Sequence, residues 1–405
     1  MIELQPRTIP GRRLVELAEA VGPDLANRAP RHDREGSYPF ASIARLQGAG
    51  YFAAPVPEAY GGLGADSVHD LVIASSRLAR ADASVAIGVN MHLVALLNVV
   101  RRRQTAAAAG NERRAAAFEA TMRQIVADGV IMAAAISEPG QDITKPATVA
   151  ARTDTGWRLD GRKIFCTMSP AATVLYTAVS FLDDDGEERY GYAMVPAGTP
   201  GLTIHDDWDG LGMRASGSHS VTFAGVELPS SALRGGFPVG SVGPYIERNL
   251  TAGLFHASAS LGIAEAAHAI AVETIARRNG HADGHSRMLV AGSAIELSAI
   301  RGTLARAAAL VDDHYGSHAT DDGTDDELAG LFAEAQAAKT FINEASTRIV
   351  DRALALSGGA GYVNSSPLAR AYRDVRAGAF MHPLGANRAY DFVAGRALGH
   401  VPVLR

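Results

Sequence analysis

Apolar residues recur every three or four positions in the first part of the chain, as they do along a helix that buries one face. Between residues 11 and 29 the repeated positions are Leu14, Leu17, Val21 and Leu25. The pair Gly22-Pro23 interrupts this run, so the pattern predicts either one amphipathic helix or a bent pair.

A second group of helical patterns follows a glycine-rich loop, which is predicted over 55–66. These patterns occupy 68–80 and 84–100. The first 125 or so residues are therefore predicted to be mostly helical.

Short alternating runs replace the helical pattern after residue 130, and they predict a compact β domain. In 156–165 two such runs flank Asp160-Gly161, which predicts a tight hairpin turn because this dipeptide readily adopts positive φ angles. Further runs rich in β-forming residues occupy 174–182, 190–195, 202–204 and 220–228.

Long helical patterns return after Gly240. They occupy 250–278, 287–315, 326–356 and a last segment that ends near Leu398, and the acidic stretch 320–326 is predicted to be an exposed loop. We therefore predict an α+β protein with three domains. They are an N-terminal helical domain (1–128), a central β domain (129–239) and a C-terminal helical bundle (240–405).

Composition and charge narrow the class of protein. The 405 residues are 47% hydrophobic and 20% charged, with a mean hydropathy of +0.03, which is typical of a globular protein. Lysine and arginine number 38 against 43 acids, a net charge of −5 that argues against nucleic-acid binding. The single cysteine, Cys166, excludes an internal disulfide framework and a cysteine-rich metal site. A cytoplasmic protein is expected.

The sequence shows no sign of export or membrane insertion. Glu3 and Pro6 stand where a signal peptide would need an apolar run. Charged residues such as Arg77, Arg80 and Asp128 are expected to interrupt the apolar stretches before they reach about 18 residues, the length that spans a bilayer.

Six short motifs follow one another along most of the chain. They are Pro57-Glu-Ala-Tyr-Gly-Gly62, Ile136-Ser-Glu-Pro-Gly140, Leu159-Asp-Gly-Arg-Lys163, Leu211-Gly-Met-Arg214, Ser357-Gly-Gly-Ala-Gly-Tyr362 and Pro367-Leu-Ala-Arg-Ala-Tyr-Arg-Asp374. In this order they resemble the acyl-CoA dehydrogenase superfamily of flavoproteins. The resemblance implies an N-terminal helical domain, a central β-barrel-like domain and a C-terminal four-helix bundle, usually in a homodimer or homotetramer.

The resemblance also implies a flavin cofactor, either FAD, which could be supplied reduced, or FMN. In the family, the segment that matches Ile136 and Ser137 passes beside the isoalloxazine ring. The residue at Thr167 hydrogen-bonds near flavin N5, and the aromatic residue at Phe165 covers one face of the ring. Polar contacts of this kind tune a flavin, and an apolar wall excludes water from it.

Two further cofactor contacts are implied across a subunit interface. Gly358 and Gly359 could simply end a helix, but in the family this loop approaches the pyrophosphate of the cofactor. Arg278 lies near the position of an arginine that helps to bind FAD across the dimer. The residues after it, Asn279 to Asp283, depart from the usual aromatic-glycine continuation.

The catalytic base of the dehydrogenases is absent. These enzymes remove the α proton of an acyl thioester with a glutamate. One of the two usual positions holds His382, followed by Pro383, and the other holds Ala252, more than one helical turn from the nearest acid, Glu247. The segment after Glu138 also lacks the small residues typical of thioester-binding members.

A monooxygenase branch of the same superfamily also lacks the glutamate. Its members take reduced flavin from a separate reductase, react with O2 and act on aromatics, amines or sulfur heterocycles. With an ordinary pKa of about 6.5, His382 could donate or accept a proton, and the resemblance places His92 and His256 around the same cavity. The alternative is structural: His382 would start a helix, and His92 and His256 would be hydrogen-bonded core residues.

Three hypotheses follow. The first is a reduced-flavin monooxygenase or related oxidase that acts on a small organic substrate. The second is an acyl-thioester dehydrogenase that uses His382 or an unrecognised acid as base. The third is a catalytically silent partner subunit. The protein partner would be a flavin reductase or an electron-transfer flavoprotein.

Other chemistries fit the sequence less well. The spacing around the candidate histidines does not match a metal site. A Gly-x-Ser-x-Gly elbow, which a serine hydrolase of the α/β class would need, is missing.

Overall fold

The computed structural model describes residues 2–140, 142, 144–277, 283–317 and 325–400. The N-terminal part is helical. Its helices are α1 (Ile9–Glu35), α2 (Phe40–Gly48), α3 (Val68–Ala81), α4 (Ala83–Ala108) and α5 (Glu112–Ala127). The predicted loop over 55–66 separates α2 from α3 and contains only a short 3-10 turn.

Helix α1 is continuous through Gly22-Pro23, so the first of the two predicted alternatives, one amphipathic helix, is confirmed. It contains both Pro23 and Pro30 and ends before Gly36, whose φ of 65° terminates it. A proline inside a helix removes one hydrogen bond. The apolar face of α1 is buried along its length, with Leu14 and Leu25 fully inaccessible, and this burial outweighs the loss.

The central part forms one eight-stranded sheet within the described residues. Its strands are β1 (Met132–Ala135), β2 (Val149–Thr153), β3 (Gly156–Cys166), β4 (Val174–Leu182), β5 (Glu188–Pro196), β6 (Leu202–Ile204), β7 (His219–Pro229) and β8 (Leu233–Pro238). The order is β6-β7-β3-β2-β4-β5-β8, and β1 pairs with β4 in parallel.

The predicted hairpin at Asp160-Gly161 is wrong, because β3 runs through this dipeptide without turning. The pairing of β3 with β7 shifts register between Leu159 and Asp160, which indicates a β-bulge. A Cβ atom at Gly161 would lie 2.5 Å from Oγ1 of Thr148. The glycine thus allows close packing of the bulge rather than a turn.

The C-terminal part is helical again. Its helices are α6 (Gly243–Asn249), α7 (Ala252–Arg277), α8 (Gly284–Ser317), α9 (Asp325–Ser357), α10 (Gly359–Tyr362), α11 (Pro367–Val375) and α12 (Ala386–Ala397). Helix α7 packs against both α9 and α3 and so joins this bundle to the N-terminal helices. The predicted loop over 320–326 lies outside the described residues, apart from its last two positions, which begin α9.

The predicted α+β class and three-part order are confirmed. Helices occupy both ends of the described chain, and the sheet lies between them. The predicted divisions at residues 128 and 239 fall between α5 and β1 and between β8 and α6.

One expectation about apolar stretches is wrong. Three helical stretches are long and apolar enough to cross a membrane by length and composition: Ala83–Ala108, Gly243–Arg277 and Gly284–Gly316. The most apolar windows of the first two are 78% and 50% buried inside the fold, where they form its core. The third is only 28% buried and leaves apolar side chains on the surface.

Candidate functional site

A small cavity lies where the three parts of the chain meet. Its volume is about 50 Å³, which is room for a small group rather than a whole substrate. Its walls are formed by Met91, Val94, Ala134, Ile136, Ser137, Phe165, Tyr176, Asn249, Ala252 and His382. Four residues singled out from the sequence are among them, and so is Ala252, the second position where the family would carry a base.

A buried ion pair fixes the β-domain wall of this cavity. Nζ of Lys163 on β3 donates to Oε1 of Glu138 at 2.7 Å. Burial alone would raise the pKa of Glu138, but the charge of Lys163 and hydrogen bonds from Lys163 and Thr148 hold it below its ordinary value. Glu138 directly follows Ser137, so the pair anchors Ser137 beside the end of β3.

Phe165 presents a large apolar surface next to this wall. Its φ is 56°, its side chain is 61% exposed, and its ring meets Trp208 edge-on at 6.2 Å. Thr167 follows two residues later, with its hydroxyl 2.9 Å from that of Ser218, but it does not line the small cavity. An uncovered aromatic face beside hydroxyl groups fits a flat, partly apolar ligand such as a flavin ring.

His382 is held as a neutral ring with one free acceptor. Its Nε2 lies 2.7 Å from Oδ1 of Asn249, whose Nδ2 donates to the carbonyl oxygen of Tyr245. The amide oxygen can only accept, so Nε2 carries the proton and Nδ1 is left as an acceptor. Burial, together with the charge of Lys339, lowers the pKa of His382 to about 3. Asn249, which sets this tautomer, was not singled out from the sequence.

His92 has a structural role, which corrects its assignment as a catalytic candidate. It is fully buried, its Nδ1 accepts the backbone N–H of Met132, and its Nε2 lies 2.9 Å from the carbonyl oxygen of Phe52. Burial lowers the pKa of His92 to about 4, so the ring stays neutral. It ties α4 to β1 and does not line the cavity.

His256 also lies outside the cavity lining, one turn along α7 from Ala252. It is buried, and neither ring nitrogen has a hydrogen-bond partner among the described residues. Burial lowers its pKa well below the ordinary value, and the charges of Lys339 and His382 act in the same direction. The expectation that His256 faces the substrate is therefore not met.

The implied interface residues are not brought to the cavity within one chain. Gly358 caps the start of α10 and Gly359 is its first residue; both are exposed, and a Cβ atom at either would meet nothing within 4 Å. Arg278 lies outside the described residues.

A second and much larger space, a cleft of about 820 Å³, opens beside the small cavity. Five arginines line it. Arg101 is paired with Asp66 and Asp312, and the other four come from four different elements: Arg102 on α4, Arg114 on α5, Arg234 on β8 and Arg248 on α6. Within the described part of the chain, none of the four has a carboxylate within 4 Å. Burial, followed by the charges of the other three, lowers the pKa of Arg102 to about 10. Clustered like charges of this kind favour a polyanion.

Arg248 connects the two spaces. Its guanidinium lies 3.6 Å from the ring centre of Tyr192 and 5.4 Å from that of Tyr176, which also lines the small cavity. We missed this cationic cleft in the sequence because its four arginines are spread between positions 102 and 248, and Arg234 and Arg248 are isolated there. The run Arg101-Arg102-Arg103 after an apolar stretch and the pair Arg113-Arg114 were the available signals.

Comparison with known families covers all three parts of the chain. Residues 16–109, 133–226 and 254–383 match the N-terminal, middle and C-terminal domains of acyl-CoA dehydrogenase, respectively.

Individual relatives are similar over nearly the whole length. The amino sugar nitrososynthase DnmZ of Streptomyces peucetius is 35% identical over 98% of this chain and 95% of its own. The L-evernosamine nitrososynthase of a Micromonospora species is 34% identical over 97% of this chain and 92% of its own. The structure of KijD3 with FMN and dTDP-3-amino-2,3,6-trideoxy-4-keto-3-methyl-D-glucose has a TM-score of 0.88 and 32% identity over 97% of this chain and 95% of that one.

Proposed function

We propose that the chain, which belongs to the acyl-CoA dehydrogenase family, oxygenates the primary amine of a sugar carried on a nucleoside diphosphate. It is a flavin-dependent oxidoreductase, and the predictions of the family, the flavin cofactor and this class of enzyme are confirmed. The observation that carries the proposal is a cluster of four arginines that have no carboxylate partner among the described residues. The cluster lies beside a cavity that holds a neutral His382.

The small cavity is poorly equipped for dehydrogenation of a thioester. None of the described residues that line it is a carboxylate. With a pKa of about 3, His382 is a weak base for removing a proton from carbon. A neutral acceptor suits a different task, which is to orient an amine through one of its N–H bonds.

The cationic cleft suits a nucleoside diphosphate. Guanidinium groups bind phosphate oxygens through paired hydrogen bonds, and a bound diphosphate would offset the repulsion among Arg102, Arg114, Arg234 and Arg248. KijD3, which is 32% identical to this chain, is solved with a dTDP-linked amino sugar. From the cleft, Arg248 and Tyr176 lead to the small cavity, where the amine would enter.

The overall reaction is R–NH2 + O2 + reduced flavin giving R–NHOH + H2O + oxidised flavin. A second round, R–NHOH + O2 + reduced flavin, gives R–NO + 2 H2O + oxidised flavin. When bound, the reduced flavin supplies the two electrons and activates O2 for each round. Nδ1 of His382 accepts the N–H of the amine and takes its proton as the N–O bond forms, and Met91 and Val94 help to exclude water.

We also propose a separate flavin reductase as partner, a homodimer or homotetramer, and a cytoplasmic location, where reduced nicotinamide for the reductase is available. Large apolar side chains of the C-terminal helices support the oligomer, since Met288, Ile295, Tyr362 and Phe380 are at least 70% exposed. Gly358 and Gly359 lie on the same part of the chain. A gel-filtration mass near 42.3 kDa at micromolar concentration would contradict the oligomer.

The reaction can be tested directly. The protein, FAD or FMN, a flavin reductase with NADH, and a dTDP-3-amino sugar are incubated in air, and the products are analysed by mass spectrometry. We expect O2-dependent hydroxylamine and nitroso products, and none from a matched sugar with a hydroxyl in place of the amine. Anaerobic bleaching of the bound flavin by acyl-CoAs, without amine oxidation, would contradict the proposal and favour the dehydrogenase hypothesis.

Replacing Phe165 with alanine should weaken flavin binding about tenfold. The substitution removes an aromatic face worth about 1–1.5 kcal/mol in stacking, and fluorescence titration with FAD and FMN measures the change in Kd. Phe40→Ala on α2 removes an aromatic side chain of similar exposure (57%) and serves as the matched control. Equal Kd values for the two variants would contradict the placement of Phe165 beside the flavin.

A further inference from the structure

Three polar side chains are buried together behind the cavity, between α7 and α9. They are His256 on α7 and Gln336 and Lys339 on α9. Nζ of Lys339 donates to the carbonyl oxygens of Met381 and Leu384, the latter at 2.7 Å. These two carbonyls flank the His382-Pro383 segment, so Lys339 holds the turn that carries His382.

Two of these side chains have no hydrogen-bond partner among the described residues. Both ring nitrogens of His256 and both polar atoms of the Gln336 amide are buried and unpaired. Such groups destabilise a fold unless water satisfies them, and buried water is the common solution. At Gly253 a Cβ atom would lie 3.2 Å from Nε2 of Gln336 and 3.4 Å from Cδ of Lys339, so these two groups face one small space beside α7. His256 lies one turn further along α7, and the charge of Lys339 acts on it.

We propose that water bound between His256 and Gln336 passes protons between His382 and Lys339, which stores the proton released by the amine. This inference deepens the proposed function and rests on it. As the N–O bond forms, the N–H proton moves to Nδ1 of His382. Once the hydroxylamine has moved away from this nitrogen, the water takes the proton from Nδ1–H and carries it on to the neutral amine of Lys339, while Nε2–H stays bonded to Asn249. The second oxygen of O2 leaves as water and needs one proton, which Lys339 returns, so the store is restored in each round.

The surroundings of Lys339 support this role. Burial lowers its pKa to about 7, so both of its protonation states are populated near neutral pH. The titratable and charged groups around it are His256 on α7, Tyr245 on α6, His382, and Arg388 on α12, whose charge acts on Tyr245. None of them is a carboxylate that would hold Lys339 permanently charged.

The chain has only three lysines, so Lys339 can be observed directly. Lysine labelled with 13C at Cε is incorporated into the flavin-free protein, and the three signals are followed from pH 5.5 to 9. We expect one signal to titrate near pH 7 and to vanish in Lys339→Met. Lys145, exposed beside Glu188, and Lys163, paired with Glu138, give the two reference signals. A Lys339 signal that stays charged up to pH 9 would overturn the proposal.

The water link is tested by Gln336→Met, which keeps the side-chain length but removes both polar atoms. In the wild type, kcat for amine oxygenation should rise through pH 7, because a neutral Lys339 is needed to accept the proton. In Gln336→Met we expect kcat at pH 8 to fall about tenfold, and the rise of kcat through pH 7 to disappear. His256→Leu should behave in the same way. Ser346→Ala, which removes another buried, unpaired polar atom of α9, is the control and should keep the wild-type profile.

Thermal unfolding gives a readout independent of activity. If the space is dry, Gln336→Met removes unsatisfied groups and should raise Tm. A raised Tm in Gln336→Met would overturn the water link. So would a kcat that still rises through pH 7 in this variant as it does in the wild type. A lysine that titrates near pH 7 in a protein that does not oxidise amines would refute the proposed function, and with it the role of Lys339 in amine oxygenation, while showing that Lys339 exchanges a proton near neutral pH.

Discussion

Replacing Arg102 with glutamate is expected to raise the KM for a nucleoside-diphosphate amino sugar by at least about 100-fold. The substitution removes one phosphate-binding guanidinium and places a carboxylate opposite the diphosphate. Losing one partner of a desolvated, hydrogen-bonded charge pair costs about 2–5 kcal/mol, and 100-fold corresponds to about 2.7 kcal/mol. At saturating substrate kcat should change little, because Arg102 does not line the small cavity.

Three comparisons make this result specific. Arg12→Glu makes the same charge change at an exposed position of α1 and should leave KM unchanged. Arg102→Lys keeps the charge but loses the paired geometry, so an intermediate KM is expected. Flavin binding, followed by fluorescence, should be equal in all three variants. If Arg102→Glu keeps the wild-type KM, the cleft is not the diphosphate site.

Replacing His382 with alanine is expected to lower kcat for amine oxygenation about 100-fold. The substitution removes the acceptor that orients the amine and takes its proton, and positioned proton transfer contributes about 10²–10⁴-fold to rates. The affinity for flavin and for the nucleotide should stay within about twofold, since the cleft arginines are untouched. Rapid-mix kinetics at saturating reduced flavin and substrate measure the effect.

His400→Ala removes an exposed histidine from the end of the described chain and should not change kcat. His382→Gln retains an acceptor and should recover part of the rate. Full activity in His382→Ala would show that the ring only shapes the cavity. A loss of nucleotide affinity with unchanged kcat would show that His382 binds the substrate and does not transfer a proton.

Local patterns in the sequence were sufficient for the order of the fold. Helical spacing and alternation depend on neighbouring positions, and both survive as α3 and β4 almost residue for residue, whereas α4 continues eight residues past its predicted end. The motif that contains Ser137 and the positions of Phe165 and His382 marked residues that do share one cavity. The missing glutamate was also evident from the sequence, because it depends only on which residue stands at two positions.

Only the tertiary structure decided which groups act together. At Gly22-Pro23 the local pattern left one helix or a bent pair open, and the packing of α1 decided for one helix. Asp160-Gly161 follows the local rule for a turn, yet the pairing of β3 with β7 overrode it. His92 and His382 are equivalent as residue types. Backbone groups satisfy both nitrogens of His92, whereas Asn249 leaves one nitrogen of His382 open.

The cationic cleft is the clearest case. Arg102 and Arg248 are separated by 145 intervening positions along the chain, and no spacing in the sequence links the arginine run around Arg102 to Arg248. Helices α4, α5 and α6 and strand β8 bring the four guanidinium charges of the cleft together, and burial removes the water that would otherwise screen them. The sequence alone therefore determined the fold, the flavin chemistry and the missing base. The anion site depends on distances between remote residues, which arise only when the three parts pack against one another.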